Sequence, residues 1–167
     1  MRRTRRSTAG AGSPRDKPAH HSLAGAWSPG SSRTIRLFGV EGHELDRVRE
    51  IALALPEVSE RLSHGARCFF VRDRRPVCYY HDHHHGDGRI SLWCPAPRGV
   101  PEELVSAEPQ RFFEPPVSAA GTFSGWLGVY LDTTGEISVD WTEIAAILED
   151  AFRTVAPKKL IAELDHR

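Results

Sequence analysis

The sequence predicts an α+β domain in which helices cover an antiparallel sheet. An apolar series with a period of 3.6 residues near the C-terminus indicates an amphipathic helix. Several short runs alternate apolar and polar residues, as half-buried strands do. These segments follow the order helix, strands, short helix, strands and helices. Grouped strands of this kind favour an α+β fold over a regularly alternating α/β fold.

The first predicted elements are a helix and a strand hairpin. The helix spans residues 44–55 and ends at Pro56, which cannot continue it, and its apolar positions are Leu45, Val48, Ala52 and Leu55. Residues 67–72 predict a strand and residues 76–80 a returning strand, with the turn Asp73-Arg74-Arg75 between them.

A polar loop over residues 81–88 follows, and it leads into a strand over residues 89–94. The period-2 alternation of this strand places two groups on opposite faces, Ile90, Leu92 and Cys94 on one and Arg89, Ser91 and Trp93 on the other. Residues 101–107 predict a short helix, with Glu102 and Glu103 in a first turn that favours carboxylates. A brief strand over residues 111–113 comes next.

The C-terminal third predicts one more strand and two helices. Residues 126–132 alternate again, as a strand does. Asp140 and Glu143 form an acidic variant of the capping box before a long amphipathic helix, whose apolar positions are Ile144, Ile147, Leu148, Ala151, Phe152 and Val155. A short helix over residues 158–164 closes the chain.

The net charge of zero hides a division between two regions. Residues 1–36 hold eight basic side chains against one acidic one, a net charge of +7, whereas residues 37–167 hold fourteen against twenty-one, a net charge of −7. The first region is rich in Arg, Ser, Gly and Pro and lacks apolar periodicity, so burial cannot offset the entropy of ordering it. We therefore predict a disordered basic tail over residues 1–40 and a folded domain over 41–167.

Composition predicts a cytoplasmic protein with no membrane partner. No run approaches the ~20 apolar residues that a membrane span requires. The Arg-rich start has no apolar segment after it, which argues against a secretory signal, and an organellar transit peptide is the alternative. Cys68, Cys78 and Cys94 lie in apolar runs without C-x-x-C spacing, so we expect reduced, mostly buried thiols.

A set of short motifs resembles the MmcQ/YjbR family in order and spacing across residues 44–164. The motifs are Leu55-Pro-Glu-Val-Ser-Glu60 with Ser63 and Gly65, His84-His-Gly-Asp-Gly-Arg89, Leu92-Trp-Cys94, Arg111-Phe-Phe-Glu-Pro-Pro116, Gly125-Trp126 with Gly128, Leu131-Asp132, Asp140-Trp141, and Ala156-Pro-Lys158 with Leu160. The resemblance implies a fold similar to that of frataxin, a twisted antiparallel sheet with helices packed on one face. Members of the family are usually described as DNA-binding-like on grounds of fold, and the resemblance supplies no catalytic residues.

The densest group of chemically active side chains is a histidine loop, His81-Asp82-His83-His84-His85-Gly86-Asp87. His81 and His83 would project to one side of an extended chain, and imidazoles beside carboxylates can bind zinc or nickel. The alternative is a solvated hairpin loop that binds metal only weakly. The candidate metal ligands are His81, His83, His84 and His85; we predict no resident cofactor, with weak zinc or nickel binding as the expected behaviour.

A second candidate site is the polar and aromatic strand face that carries Arg89, Ser91 and Trp93. Trp126 and Tyr130 join it if the strands align suitably, and Arg111 is a further candidate contact. If helices cover one side of the sheet, this face offers rings and cations to nucleic acid or another ligand, as in single-strand binders. The alternative is a second, smaller core in which the indoles pack beneath loops.

These patterns predict a binding domain rather than an enzyme. Neither Ser124 in Gly121-Thr-Phe-Ser-Gly125 nor the adjacent Ser63 and His64 have the structural context of a nucleophile with its base, and no Gly-rich phosphate loop occurs. The leading hypothesis is a monomeric, non-enzymatic domain that binds DNA or another nucleic acid. A small-molecule or metal-binding domain that uses the histidine-loop region, and a protein–protein interaction module, are the alternatives.

Overall fold

The computed structural model describes residues 43–132 and 138–167, so the predicted tail over residues 1–40 lies outside the described residues. The elements of the described part follow in this order: α1 (His43–Leu53), β1 (Val58–Ser63), β2 (Ala66–Val71), β3 (Arg75–Asp82), a 3₁₀ turn (His84–Gly86), β4 (Ile90–Pro95), α2 (Val100–Ala107), β5 (Phe112–Phe113), β6 (Trp126–Tyr130), α3 (Trp141–Val155) and α4 (Lys158–Asp165). The predicted α+β class is confirmed. No helix of this part is both long and apolar enough to cross a bilayer.

The six strands form one antiparallel sheet in the order β1-β2-β3-β4-β6-β5. Neighbours in sequence are neighbours in the sheet from β1 to β4, which is the arrangement of a meander. The short β5 then lies outside β6, and the loop over residues 114–125 connects the two. This loop shapes the candidate site described below.

One face of the sheet packs against the helices and forms the main core. A row of directly opposed residues crosses this face from β3 to β5, namely Tyr80, Leu92, Val129 and Phe112. The fully buried Leu148 and Phe152 of α3 belong to the same core cluster. Helix α3 contacts both central strands and α1, so the core lies between the sheet and this helix.

The long helix α3 begins at the predicted cap residue Asp140, but only half of the predicted capping box forms. The carboxylate of Asp140 accepts hydrogen bonds from the backbone N–H groups of Thr142 (2.9 Å) and Glu143 (3.3 Å), which have no partner within the helix. The side chain of Glu143 is engaged elsewhere, in an ion pair with Arg111. The helix therefore has an N-cap at Asp140 rather than a reciprocal capping box.

Most boundaries differ from the prediction by one or two residues, and one strand is additional. Helix α1 ends at Leu53, two residues before the predicted end. Strand β3 continues through His81 and Asp82, beyond the predicted end at residue 80, because both residues pair with β4. The sequence did not predict β1, an edge strand with no fully buried residue and hence no clear alternation.

Candidate functional site

The candidate site lies on the face of the sheet opposite the main core. A single row of directly opposed residues crosses five strands there, namely Cys68, Tyr79, Trp93, Gly128 and Phe113. The neighbouring row holds His81, Ser91 and Tyr130. Because directly opposed residues share a face, this surface is dominated by aromatic rings.

Gly128 leaves room for an aromatic ring on this face. A Cβ atom at this position would stand 2.4 Å from the ring of Phe113, closer than real contacts allow. Phe113 instead covers the glycine and stacks on Tyr130, with ring centroids 4.6 Å apart. The absence of a side chain at Gly128 therefore determines where the ring of Phe113 lies on the aromatic face.

The loop over residues 114–125 folds back over the sheet and brings a further ring to it. Phe123, with a positive φ of 69°, contacts three rings of the face, at centroid distances of 5.2 Å from Trp93, 5.7 Å from Tyr79 and 5.0 Å from Trp126. All three pairs meet edge to face, the arrangement that the ring quadrupoles favour. The loop thus converts an open sheet face into a covered site.

An aromatic cavity of about 390 Å³ remains between this loop and the histidine end of β3. Tyr79, Trp93 and Phe123 form its aromatic wall, and loop residues on its other side include Ser118 and Thr122. Four histidines also line it, His64, His81, His84 and His85. Its volume is near the lower end of the ~300–1,000 Å³ range of small-molecule sites.

Two residues that line this cavity, His81 and Trp93, each carry a buried polar atom, Nε2 and Nε1 respectively, with no hydrogen-bond partner within the described residues. Only 7% of His81 and 4% of Trp93 is exposed. Buried polar side-chain atoms are paired in the large majority of cases, and an unpaired one costs about 1–3 kcal/mol. Burial also lowers the pKa of His81 to about 4, so its imidazole is neutral at physiological pH.

The ring of His84 covers both of these side chains. Its centroid lies 4.3 Å from that of His81 and 4.9 Å from that of Trp93. His84 opens the short 3₁₀ turn, and both His83 and His85 on either side of it have positive φ, 52° and 53°. The turn therefore folds the loop back so that His84 reaches the sheet.

The histidine loop does not have the extended geometry that we predicted. The side chain of His83 pairs with Asp82, whereas the ring of His84 meets those of both His81 and His85 edge to face, with the His84 and His85 centroids 4.1 Å apart. Of the four predicted metal ligands, His83 is therefore engaged by Asp82, while the rings of His81, His84 and His85 contact one another in series. Among residues 43–132 and 138–167, no group of three or more His, Cys, Asp or Glu side chains has an arrangement that could hold a metal ion.

Arg89 and Arg111, the two arginines predicted to contact nucleic acid or another ligand, both form ion pairs with carboxylates. Arg89 donates from Nε to both oxygens of Asp132, at 3.0 and 2.8 Å, while its guanidinium lies 3.7 Å from the ring centroid of Tyr130. Arg111 pairs with Glu108, at 2.8 Å, and with Glu143 of α3, and it borders a different pocket. Each cation is partly neutralised within the fold.

The remaining predicted contacts differ in accessibility. Ser91 is 2% exposed and Trp93 is 4% exposed, so neither presents a free surface. Trp126 is half-buried and packs edge-on against Phe123. The structure therefore brings Arg89, Ser91, Trp93 and Trp126 to one face, and it leaves Arg111 elsewhere.

Sequence reasoning missed Tyr79 and Phe123, and it placed His81 in a solvated loop. Tyr79 could have been found, because it stands at the right parity in the predicted strand over residues 76–80. Phe123 lies in a segment rich in Gly and Ser, where nothing indicates that the loop returns to the sheet.

The family comparison agrees with these sequence motifs. A model of the YjbR family matches residues 53–154, more than half of the chain. No curated protein matches the chain.

A similar solved structure is the crystal structure of the Deinococcus radiodurans protein DR2400, with a domain described as DUF419. It is 20% identical, covers 69% of this chain and 80% of its own, and superposes with a TM-score of 0.53. At that identity the likeness concerns the fold alone.

Proposed function

This chain belongs to the YjbR family, and we propose that its folded domain binds a small molecule in the aromatic cavity. One observation carries the proposal: Trp93 and His81, which both line the cavity, each have a buried polar atom, Nε1 and Nε2, without a partner in the described residues. Apolar pockets with a few convergent polar groups are the usual form of small-molecule sites. A ligand that pairs with these atoms would recover the free energy that their burial costs.

The accessibility of the aromatic face favours a small ligand over a nucleic-acid strand. Single-strand binders stack successive bases on exposed rings along a basic groove. Here Trp93 is almost fully buried, and Arg89 is paired with Asp132. A compound of a few rings needs only the cavity, whereas a strand would need the face uncovered.

A thermal-shift screen of wild-type protein with chemically diverse small molecules tests the proposal. Any binder stabilises the folded state by mass action, by about 2.7 kcal/mol at 100 times its Kd. The Phe123→Ala variant removes one of the aromatic rings that line the cavity, so it should lose this stabilisation. The matched control Val117→Ala should keep it. Val117 is an exposed residue of the same loop that does not line the cavity. Compounds that stabilise wild type and Phe123→Ala equally, or an absence of stabilising compounds, would contradict the proposal.

Nucleic-acid binding is the second candidate function, and we assign it to the predicted tail. Residues 1–36 carry a net charge of +7, while residues 37–167 carry −7. Cations set against phosphates release counterions and so bind DNA of any sequence weakly, with steep salt dependence. In this hypothesis the tail supplies the affinity for DNA, and the folded domain supplies the small-molecule site.

Metal binding by the histidine loop stays a prediction of weak affinity. Nickel or zinc titrated into wild type and into a His81→Ala, His83→Ala, His85→Ala triple variant measures it. We expect weak binding in wild type and little change in melting temperature, because a structural site would convert binding free energy into folding free energy. Sub-micromolar affinity that disappears in the variant would refute the weak-binding prediction.

A further inference from the structure

We infer that the ligand of the aromatic cavity is a small aromatic carboxylate, whose carboxylate accepts hydrogen bonds from Trp93 Nε1 and His81 Nε2. This inference rests on the proposed small-molecule function and specifies its ligand class. Three properties of the cavity lead to it: the donor character of the unpaired nitrogen atoms, the absence of charged residues from the described lining, and the shape of the apolar wall.

The unpaired indole determines which kind of atom the ligand must present. An indole N–H is a donor only, so Trp93 Nε1 can be satisfied only by an acceptor. The rings nearest to that of Trp93, those of His81 (centroids 4.1 Å apart) and His84 (4.9 Å), offer at most the weak acceptor capacity of a ring face. In its neutral form His81 carries one N–H, which the tautomer can place on Nε2. A ligand group therefore suits both nitrogen atoms if it presents two acceptor oxygens, or one oxygen that accepts a hydrogen bond from each of them.

Among the described residues the lining holds no carboxylate, and its unpaired indole N–H favours an anionic acceptor over a cation. The described lining contains four histidines and no Asp, Glu, Lys or Arg. A cationic ligand would meet no carboxylate there, and its ammonium hydrogens would face the donor of Trp93. A carboxylate meets N–H donors instead, and hydrogen bonds to an ionised acceptor are roughly twice as strong as neutral ones.

The apolar wall favours a flat hydrocarbon body of one or two rings. Tyr79, Trp93 and Phe123 present ring edges and faces to the cavity, and aromatic pairs gain free energy beyond the area that they bury. A volume of about 390 Å³ suits such a ligand. A phosphate ester fits less well, because no Arg or Lys lines the cavity to offset a second negative charge.

His84 controls access to the two nitrogen atoms. Its ring lies against both His81 and Trp93, so the ligand reaches them when the His84 side chain changes rotamer. The rest of the cavity, formed by strand and loop residues, keeps its shape. Side-chain movement of this kind is common when a ligand binds to a largely preformed site.

Three matched probes test the ligand class, 2-naphthoate, 2-naphthamide and 2-(aminomethyl)naphthalene, by titration calorimetry on the full chain. They share one ring system and differ only in the polar group. We expect naphthoate to bind about tenfold tighter than the amide, because its acceptor is ionised, and the amine to bind most weakly. Equal binding of acid and amide, or tightest binding of the amine, would overturn the inference.

The indole N–H of Trp93 gives a direct readout of the contact. In wild-type protein its ¹H–¹⁵N resonance should move downfield when naphthoate is added, and Trp93→Phe should weaken naphthoate about tenfold while changing the amine little. If Trp93→Phe does not fold, the wild-type resonance alone decides, and an unmoved indole signal refutes the contact. Should naphthoate fail while other compounds still bind in the cavity, only the ligand class is wrong; if no small molecule binds there, the proposed function fails as well.

Discussion

Replacing His81 with phenylalanine should remove a large part of the acid sensitivity of this domain. His81 is 7% exposed, and burial lowers its pKa from 6.5 to about 4. The folded-state pKa thus lies below the unfolded value, and between the two the unfolded state binds more protons. Stability from this group is therefore fully present above about pH 6.5 and is lost as the pH falls towards 4.

The expected loss between pH 7 and pH 5 is about 2 kcal/mol, since each pH unit between the two pKa values costs up to 1.36 kcal/mol. The charged and titratable neighbours that act on His81 are His84, His85 and Asp87, and the first two reinforce the effect. Burial also lowers the pKa of His84, so it adds a loss of the same sign.

Urea unfolding followed by tryptophan fluorescence at pH 7, 6 and 5 measures this difference. We expect wild type to lose about 2 kcal/mol more than His81→Phe between pH 7 and pH 5. His166→Phe, which replaces an exposed histidine near the C-terminus, is the matched control and should follow wild type. If wild type and His81→Phe lose the same stability, His81 is not held neutral by burial, and the description of the cavity wall is wrong.

Three further predictions concern the sheet, the long helix and the tail. Gly128→Ala should lower the free energy of unfolding by about 1–3 kcal/mol, because its Cβ would stand 2.4 Å from Phe113; unchanged urea stability would contradict this packing. Asp140→Ala should cost about 1 kcal/mol through the lost N-cap of α3, whereas Asp140→Asn should cost little, and equal effects would place the cost elsewhere. Removal of residues 1–36 should abolish most salt-sensitive DNA binding in fluorescence anisotropy; equal binding by the truncated chain would assign it to the folded domain.

The sequence predicted those elements whose burial follows a regular period. Helix α3 has one fully apolar stripe, and strand β4 alternates between two faces, so each pattern had one interpretation. Strand β1 escaped prediction because it lies at the sheet edge and none of its residues is fully buried. A regular alternation of apolar and polar residues arises because one face of a strand is buried. An edge strand with no fully buried residue therefore shows little alternation.

The candidate site was only partly predictable, because its key properties depend on tertiary contacts. The alternation of β4 correctly placed Ser91 and Trp93 on the face opposite the main core. Burial of His81 depends on the pairing of β3 with β4 and on the return of His84, neither of which leaves a local signal. The return of Phe123 to the sheet depends on turn geometry within the loop over residues 114–125.

A crystallographic fragment screen tests the small-molecule site most directly. Crystals of the full chain would be soaked with a few hundred fragments, and the position of every bound fragment would be recorded. We expect fragments to collect in the aromatic cavity, with acceptor oxygens within about 3.2 Å of Trp93 Nε1 or His81 Nε2. Fragments that bind only at other surfaces, with both nitrogen atoms still unpaired, would contradict the proposal that this cavity is the ligand site.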